Sequence, residues 1–121
     1  MTAATLLRQL ADTINRRYRR GHIDISAAPV DIAGVPGVNL FDHTRPGRPR
    51  PLDTVWHVAA GQPLPSGDGR ARVAVFVWGP AYNWTAPTTD VGWAATAVAR
   101  TAGRWPDQSP GRPPHRQAGG R

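Results

Sequence analysis

Proline and glycine divide this sequence into short segments, and their spacing limits what the chain can fold into. Thirteen residues of each type occur among 121. Proline lacks an amide donor and glycine has unusual conformational freedom, so neither suits the interior of a helix or a central strand. Only the first 20 residues form a long segment without either residue, and no later segment of this kind exceeds ten residues. The pattern favours one long N-terminal helix followed by short elements.

The N-terminal segment predicts a helix over residues 3–20. Its apolar side chains recur at the spacing of one helix face, and they are Leu7, Leu10, Ala11, Ile14 and Tyr18. Gly21 suits the position after a helix C-terminus, and the arginines before it suit the negative end of the helix dipole. A second helix is predicted over residues 90–102, with Thr89 or Asp90 as its N-cap.

Between these helices the sequence predicts short strands separated by loops. Alternating or β-branched segments occur at residues 22–26, 35–41, 54–60 and 70–78. Pro36 and Gly37 are interpreted as a turn that leads into the second of these strands. The strand at 70–78 is apolar on both faces in its second half, which is typical of a strand inside a sheet. Prolines and other turn residues predict loops at residues 42–52, 61–69 and 79–89.

The order of helix, three or four strands and helix predicts an α+β domain in which both helices pack on one antiparallel sheet. This small domain is expected to span residues 1–103, and residues 104–121, rich in arginine, proline and glycine, are expected to form a disordered tail. The chain has no cysteine, which excludes disulfides. It has no apolar run long enough to span a membrane and no secretory signal pattern, so a cytoplasmic location is expected.

The arginines carry the strongest functional signal in the sequence. The net charge is +7, and lysine and glutamate are both absent. Arginine, alanine, glycine and proline share GC-rich codons, so a high-GC bacterial genome is an alternative source of this composition. Eleven of the 15 arginines nevertheless fall in three short windows, which are Arg16, Arg17, Arg19 and Arg20; Arg45, Arg48 and Arg50; and Arg104, Arg112, Arg116 and Arg121.

Arginine clusters of this kind fit a phosphate-rich partner. The guanidinium fork binds phosphate oxygens bidentately, and a positive field attracts polyanions. The clusters at 16–20 and 45–50 therefore predict a small, basic, non-enzymatic protein that associates with DNA or RNA in a regulatory or accessory role. The alternative is that these arginines are only solvent-exposed residues of a helix end and a loop and bind no partner.

The loop cluster lies in the sequence Arg-Pro-Gly-Arg-Pro-Arg-Pro at residues 45–51, and Pro-Gly-Arg-Pro recurs at 110–113. This tetrapeptide is similar to the Gly-Arg-Pro core of the AT-hook, a peptide that binds the minor groove of DNA. The AT-hook also has an arginine directly before the glycine, where this chain has proline in both copies. The resemblance therefore implies only one groove-entering arginine per copy, Arg48 or Arg112. A surface loop stiffened by proline is the interpretation we adopt.

Tyr82 and Trp84 lie in the predicted loop at 79–89 and provide a second candidate site. Exposed aromatic rings stack on bases or anchor a protein partner. The alternative function is therefore a protein-interaction or assembly module of a phage or mobile element that uses this aromatic loop. The structural alternative is a loop that folds back and covers the sheet.

No pattern in the sequence indicates catalysis, a metal site or a cofactor. The close histidine–aspartate pairs are His22 with Asp24 and Asp42 with His43, whereas a metal site needs three or four converging ligands. Phosphate-binding, zinc and nucleophile motifs are absent from the sequence. We therefore expect that this protein is not an enzyme. The observation that tests this is whether the four histidine and aspartate side chains meet in one cleft.

Overall fold

The computed structural model describes residues 1–102, which form an α+β domain. Helix α1 spans Ala3–Arg17 and helix α2 spans Val91–Thr101. Between them lies one antiparallel sheet in the order β1-β2-β3-β4-β5. Its strands are β1 Ile25–Ile32, β2 Val35–Asp42, β3 Arg50–Val58, β4 Val75–Trp78 and β5 Trp84–Pro87. The predicted architecture is confirmed, with five strands instead of three or four. The tail predicted at 104–121 lies outside the described residues.

Both helices pack on the same face of the sheet and form the main core there. The predicted apolar face of α1 is confirmed, because Leu7, Leu10 and Ile14 are fully buried. Beneath the helices lie inward side chains of three strands, Val38, Leu40, Val55, Phe76 and Trp78. From α2, Ala94 and Ala95 are fully buried in the same core. Because these side chains are small, α2 can approach the sheet and α1 closely.

Helix α1 ends three residues earlier than predicted, at Arg17. Tyr18 is its C-cap, and the Tyr18 amide still donates to the Ile14 carbonyl at 2.9 Å. The Tyr18 carbonyl then accepts the amide of Ile25 at 2.8 Å, which fixes the start of β1. The apolar periodicity continues through the cap residue, so it overestimates the helix. The two arginines after Tyr18 therefore lie in the connection to β1.

The face of the sheet opposite the helices is covered over β3 and β4. A second buried cluster there contains Trp56, Val58, Ala71, Val75, Val77 and Tyr82. Ala71 comes from the connection between β3 and β4, residues 59–74, and Tyr82 comes from a tight turn at Pro80–Tyr82. We call this part of the face the covered half.

Over β1 and β2 the same face is less protected. Its side chains are half-buried, and they are Ser26, Ala28, Val30, Asn39 and Phe41. The apolar members of this group belong to neither buried cluster. We call this part of the face the open half.

The turn before β2 is three residues earlier than predicted. It lies at Ala33–Gly34, where both residues have positive φ, as a two-residue hairpin requires. Pro36 and Gly37 lie within β2, whose pairing with β3 begins at Gly37, so the missing amide of Pro36 falls outside that ladder. A Cβ at Gly37 would lie 2.9 Å from the Trp56 ring, so glycine is needed to admit that ring.

Other strand boundaries also differ from the prediction. β1 lies at Ile25–Ile32 rather than at 22–26, and β3 begins at Arg50 inside the predicted loop. The strand predicted at 70–78 is reduced to β4, and β5 lies inside the loop predicted at 79–89. The missed strand is a short edge strand that contains proline, which local turn propensity cannot distinguish from a loop.

Several outward-facing backbone positions of the two edge strands are blocked against pairing with a further strand. In β1, the amide and carbonyl of Ala27 point away from β2, and the Asn15 side chain binds them at 2.8 and 2.9 Å. Pro29 has the same outward position two residues later and has no amide. Directly after β5, the amide of Thr88 donates to the carbonyl of Ala74, the residue before β4, so Pro87 points outward. Strand addition is therefore disfavoured at both edges.

Candidate nucleic-acid interface

The two arginine clusters of the described chain lie at the same end of the sheet. The first cluster leads into β1, and the second follows β2. The amide of His43 donates to the carbonyl of Asp24 at 2.8 Å, and Ile25 pairs with Asp42 in the next step of the ladder. Strand pairing therefore joins residues 16–24 to residues 42–50. We call these two segments together the basic end.

The basic end holds the positive charge of the described chain. Its two segments contain seven arginines and two aspartates, whereas the rest of residues 1–102 contains four arginines and five aspartates. Codon bias acts on the whole chain and does not by itself concentrate charge in one place. The described body is thus strongly polarised, and its surplus charge lies where the two segments meet.

Arginines at the end of α1 make contacts with the protein itself. The Arg16 guanidinium donates to the Asp12 carbonyl at 3.4 Å and to the Thr13 hydroxyl at 3.3 Å. Arg17 reaches across to α2 and donates to the Gly92 carbonyl at 2.9 Å. This bond ties the last turn of α1 to the first turn of α2, so Arg17 has a structural role.

Asp24 organises the connection between α1 and β1. One of its carboxylate oxygens accepts the amide of Arg20 at 2.9 Å and lies 3.4 Å from the Arg19 guanidinium. Arg20 has a φ of 63°, a left-handed conformation that the carboxylate contact supports. The Arg20 side chain is exposed and has no partner among residues 1–102.

The loop cluster has one anchored arginine and two exposed ones. Arg50 lies 3.4 Å from the Asp42 carboxylate, which also accepts the Thr44 amide and hydroxyl at 2.9 and 2.7 Å. Partial burial acts to raise the pKa of Asp42, but the Thr44 hydrogen bonds and the Arg50 charge outweigh it and lower the pKa. Arg45 and Arg48 are exposed and have no partner within residues 1–102.

Sequence analysis assigned the same role to seven arginines, and the structure separates them. Arg16, Arg17, Arg19 and Arg50 each contact another part of the described chain. Three exposed side chains have no such contact, and they are Arg20, Arg45 and Arg48. Of the seven arginines, these three can bind a phosphate without first breaking an intramolecular hydrogen bond or ion pair.

The aromatic candidates Tyr82 and Trp84 are packed against the sheet. Tyr82 is 7% exposed and belongs to the covered half. Trp84 is half-buried, and a Cβ on Gly79 would lie 2.8 Å from its ring. Gly79 has a φ of 85° and lets the ring approach the backbone closely. Tyr82 therefore covers one face of the sheet, whereas Trp84 begins β5 and packs against the main core, so the two residues do not form an exposed aromatic loop.

Two aromatic residues that sequence analysis did not select are accessible. Trp93 is 53% exposed on α2. Phe41 is half-buried on the open half, and His43 follows it with its Nε2 atom 2.7 Å from the Ser26 hydroxyl. The alternation of Val38, Leu40 and their neighbours in β2 was the available signal for Phe41. This alternation indicates that β2 has two faces, but it does not show which of the two faces is left uncovered by other parts of the described chain.

The histidines and aspartates named above do not converge in one cleft. The Asp24 carboxylate accepts the amide of Arg20, within the connection between α1 and β1. The Asp42 carboxylate contacts Thr44 and Arg50, and the His43 ring contacts the Ser26 hydroxyl. His22 is exposed. Among residues 1–102, no three histidine or acidic side chains are grouped closely enough to hold a metal ion.

Comparison with protein-family models, curated proteins and solved structures finds no match for this chain. Within residues 1–102, neither helix has the length and apolar character needed to cross a membrane.

Proposed function

We propose that this protein binds nucleic acid through phosphate contacts at the basic end and has a non-enzymatic, regulatory or accessory role in the cytoplasm. The observation that supports this most is the pairing of β1 with β2, which joins two arginine clusters that are distant in sequence. A single concentrated positive surface attracts a polyanion more strongly than the same charges dispersed over the protein.

Side chains at the basic end suit this task in different ways. Arg20, Arg45 and Arg48 are exposed and unpaired within the described chain, so their guanidinium groups can bind phosphate oxygens directly. Pro49 follows Arg48 and Pro51 follows Arg50. These prolines restrict the loop backbone, which lowers the entropy lost when the loop is ordered by a ligand. Arg17 and Arg19 hold the helix end in position.

The test compares two variants that lose equal charge. One replaces Arg20, Arg45 and Arg48 with glutamine, and the control replaces Arg8, Arg72 and Arg100, which are also exposed and unpaired within residues 1–102. Binding of a labelled oligonucleotide is titrated at several salt concentrations. Each phosphate contact contributes ~0.7 to 0.9 to the log–log salt slope, so the first variant should lose about 2 to 3 units.

The control variant should change the slope by less than about one unit. An equal loss in both variants would show that binding depends on total charge, and the basic end would lose its special role. If the intact protein binds neither DNA nor RNA better than ~100 μM at low salt, the proposed function is wrong.

A second candidate function is contact with a protein partner through α2. Trp93 supports it, because a tryptophan that is 53% exposed is a typical interface anchor. A photo-crosslinking residue placed at Trp93 should capture a defined protein in cells. The matched control is the same residue at Val73, which is 52% exposed. Equal capture at both positions would contradict a specific interface at α2.

A further inference from the structure

The open half of the sheet has one large apolar side chain without a place in either core. Phe41 is half-buried and lies on the face away from the helices, because its neighbour Leu40 is fully buried beneath them. In the register of the sheet, Phe41 lies between Ser26 of β1 and Pro51 of β3. Both flanking side chains are small, and Pro51 is itself exposed.

His43 lies on the same face, two residues after Phe41. Its ring is held by the Ser26 hydroxyl, 2.7 Å from Nε2. Its amide continues the ladder by bonding to the Asp24 carbonyl. Two residues along an extended backbone rise about 7 Å, so Phe41 and His43 place two rings in sequence along one strand.

The two rings border the basic end directly. Asp42, which lies between them in sequence, anchors Arg50 at 3.4 Å. Arg45 follows His43 by two residues and is exposed. Flat rings on an open sheet face and arginines along its border are the combination that binds single strands, where bases stack on rings and the backbone follows positive charge.

We propose that the open half binds single-stranded nucleic acid, with consecutive bases stacked on Phe41 and His43 and the phosphates bound by arginines of the basic end. This inference rests on the proposed function and specifies its ligand. A duplex offers phosphates equally well, but its base faces are already stacked inside the helix. The site should therefore prefer single strands over duplexes of the same length.

The test measures the affinity of the intact chain for labelled single strands of DNA and RNA of about 12 nucleotides and for a duplex of that length. Phe41→Leu keeps an apolar side chain and removes the aromatic face. It should weaken single-strand binding about 5- to 100-fold and leave duplex binding unchanged. Phe41→Tyr keeps the ring and should retain affinity. The matched control Trp93→Leu removes an exposed aromatic ring from α2 and should retain affinity as well.

A second readout does not depend on loss of binding. Phe41→Trp introduces a fluorescent ring on the open half, and the added emission relative to the wild-type protein should be quenched by the single-stranded probe. The inference is overturned if Phe41→Leu binds single strands as the wild type does, if the added emission is unaffected, or if the duplex binds equally well. In those cases a loss of binding on replacing Arg20, Arg45 and Arg48 would still support the proposed function. Absence of binding to every probe would overturn both.

Discussion

The covered half and the open half belong to one face of one sheet, yet only the covered half is shielded by other segments of the described chain. The covered half is closed by residues 59–74 and by the turn at Pro80–Tyr82, and its large side chains Trp56 and Tyr82 are at most 7% exposed. The open half has no such cover within the described chain. Its polar side chains are hydrogen-bonded to neighbouring residues, as Asn39 is by accepting from the Thr54 hydroxyl of β3 at 2.7 Å.

This difference separates structural from functional explanations for an apolar residue. A side chain in the covered half is explained by the core that it completes. Ser26 and Asn39 make the open half stable in contact with water, because their side chains are hydrogen-bonded. Phe41 is the large apolar residue of the open half, and neither core accounts for it. The proposed ligand, whose flat bases stack on aromatic rings, would give it a role.

The largest effect is expected from Trp56→Ala in the covered half. Trp56 is 1% exposed, so the substitution should lower the free energy of unfolding by ~3 to 5 kcal/mol through lost burial and the cavity left behind. Urea unfolding of the purified variant measures it. A loss below about 1 kcal/mol would show that the covered half contributes little to the fold, and the contrast between the halves would disappear.

A smaller effect is expected from Gly37→Ala at the border between the halves. The added Cβ would lie 2.9 Å from the Trp56 ring and 3.2 Å from the Val55 carbonyl. The ring must shift out of its packed position, which should cost ~1 to 3 kcal/mol. Thermal unfolding of Gly37→Ala measures this cost, and Gly21→Ala is the matched comparison because the only atom within 4 Å of a Cβ there is the Ile23 carbonyl oxygen at 3.7 Å, an ordinary contact distance. An unchanged stability for Gly37→Ala would indicate that Trp56 is loosely packed.

The covered half also shows what the sequence could and could not predict. The alternation of residues 73–78 correctly indicated that Phe76 and Trp78 face one side and Val75 and Val77 the other. The burial of Tyr82 could not be predicted from the sequence in the same way. It depends on a turn in which Ala81 and Tyr82 both have positive φ, at 53° and 55°. No local sequence pattern predicts that conformation.

The basic end was predictable in its parts but not in its assembly. Each arginine cluster is visible in the sequence, and the helix that presents the first cluster follows from apolar periodicity. Their proximity depends on the bond between Asp24 and His43, which exists only because β1 and β2 pair in one register. The identification of Phe41 required knowledge of which face the connection at 59–74 covers, and that is a tertiary property.

A pH-dependent effect is expected at the border of the open half. The pKa of Asp42 is lowered in the folded state, so its contribution to stability is complete above the unfolded value of ~3.9 and is lost as the pH falls through the folded value. Asp42→Asn should therefore reduce stability by about 0.5 to 1 kcal/mol at neutral pH. Its melting temperature should meet that of the wild type at strongly acidic pH. A difference that persists there would assign the effect to packing instead of charge.

The smallest effect on stability is expected from Phe41→Leu, and it decides how the two halves differ. Phe41 belongs to neither core, so the free energy of unfolding should change by only ~0.5 kcal/mol, as for a surface substitution. Urea unfolding measured beside Trp56→Ala gives the comparison directly. If Phe41→Leu costs several kcal/mol, the ring is a structural element that the open half needs, and its loss of nucleic-acid binding would carry no functional meaning. If stability is preserved while single-strand affinity falls, the ring acts on the ligand alone, because the fold that presents it is unchanged.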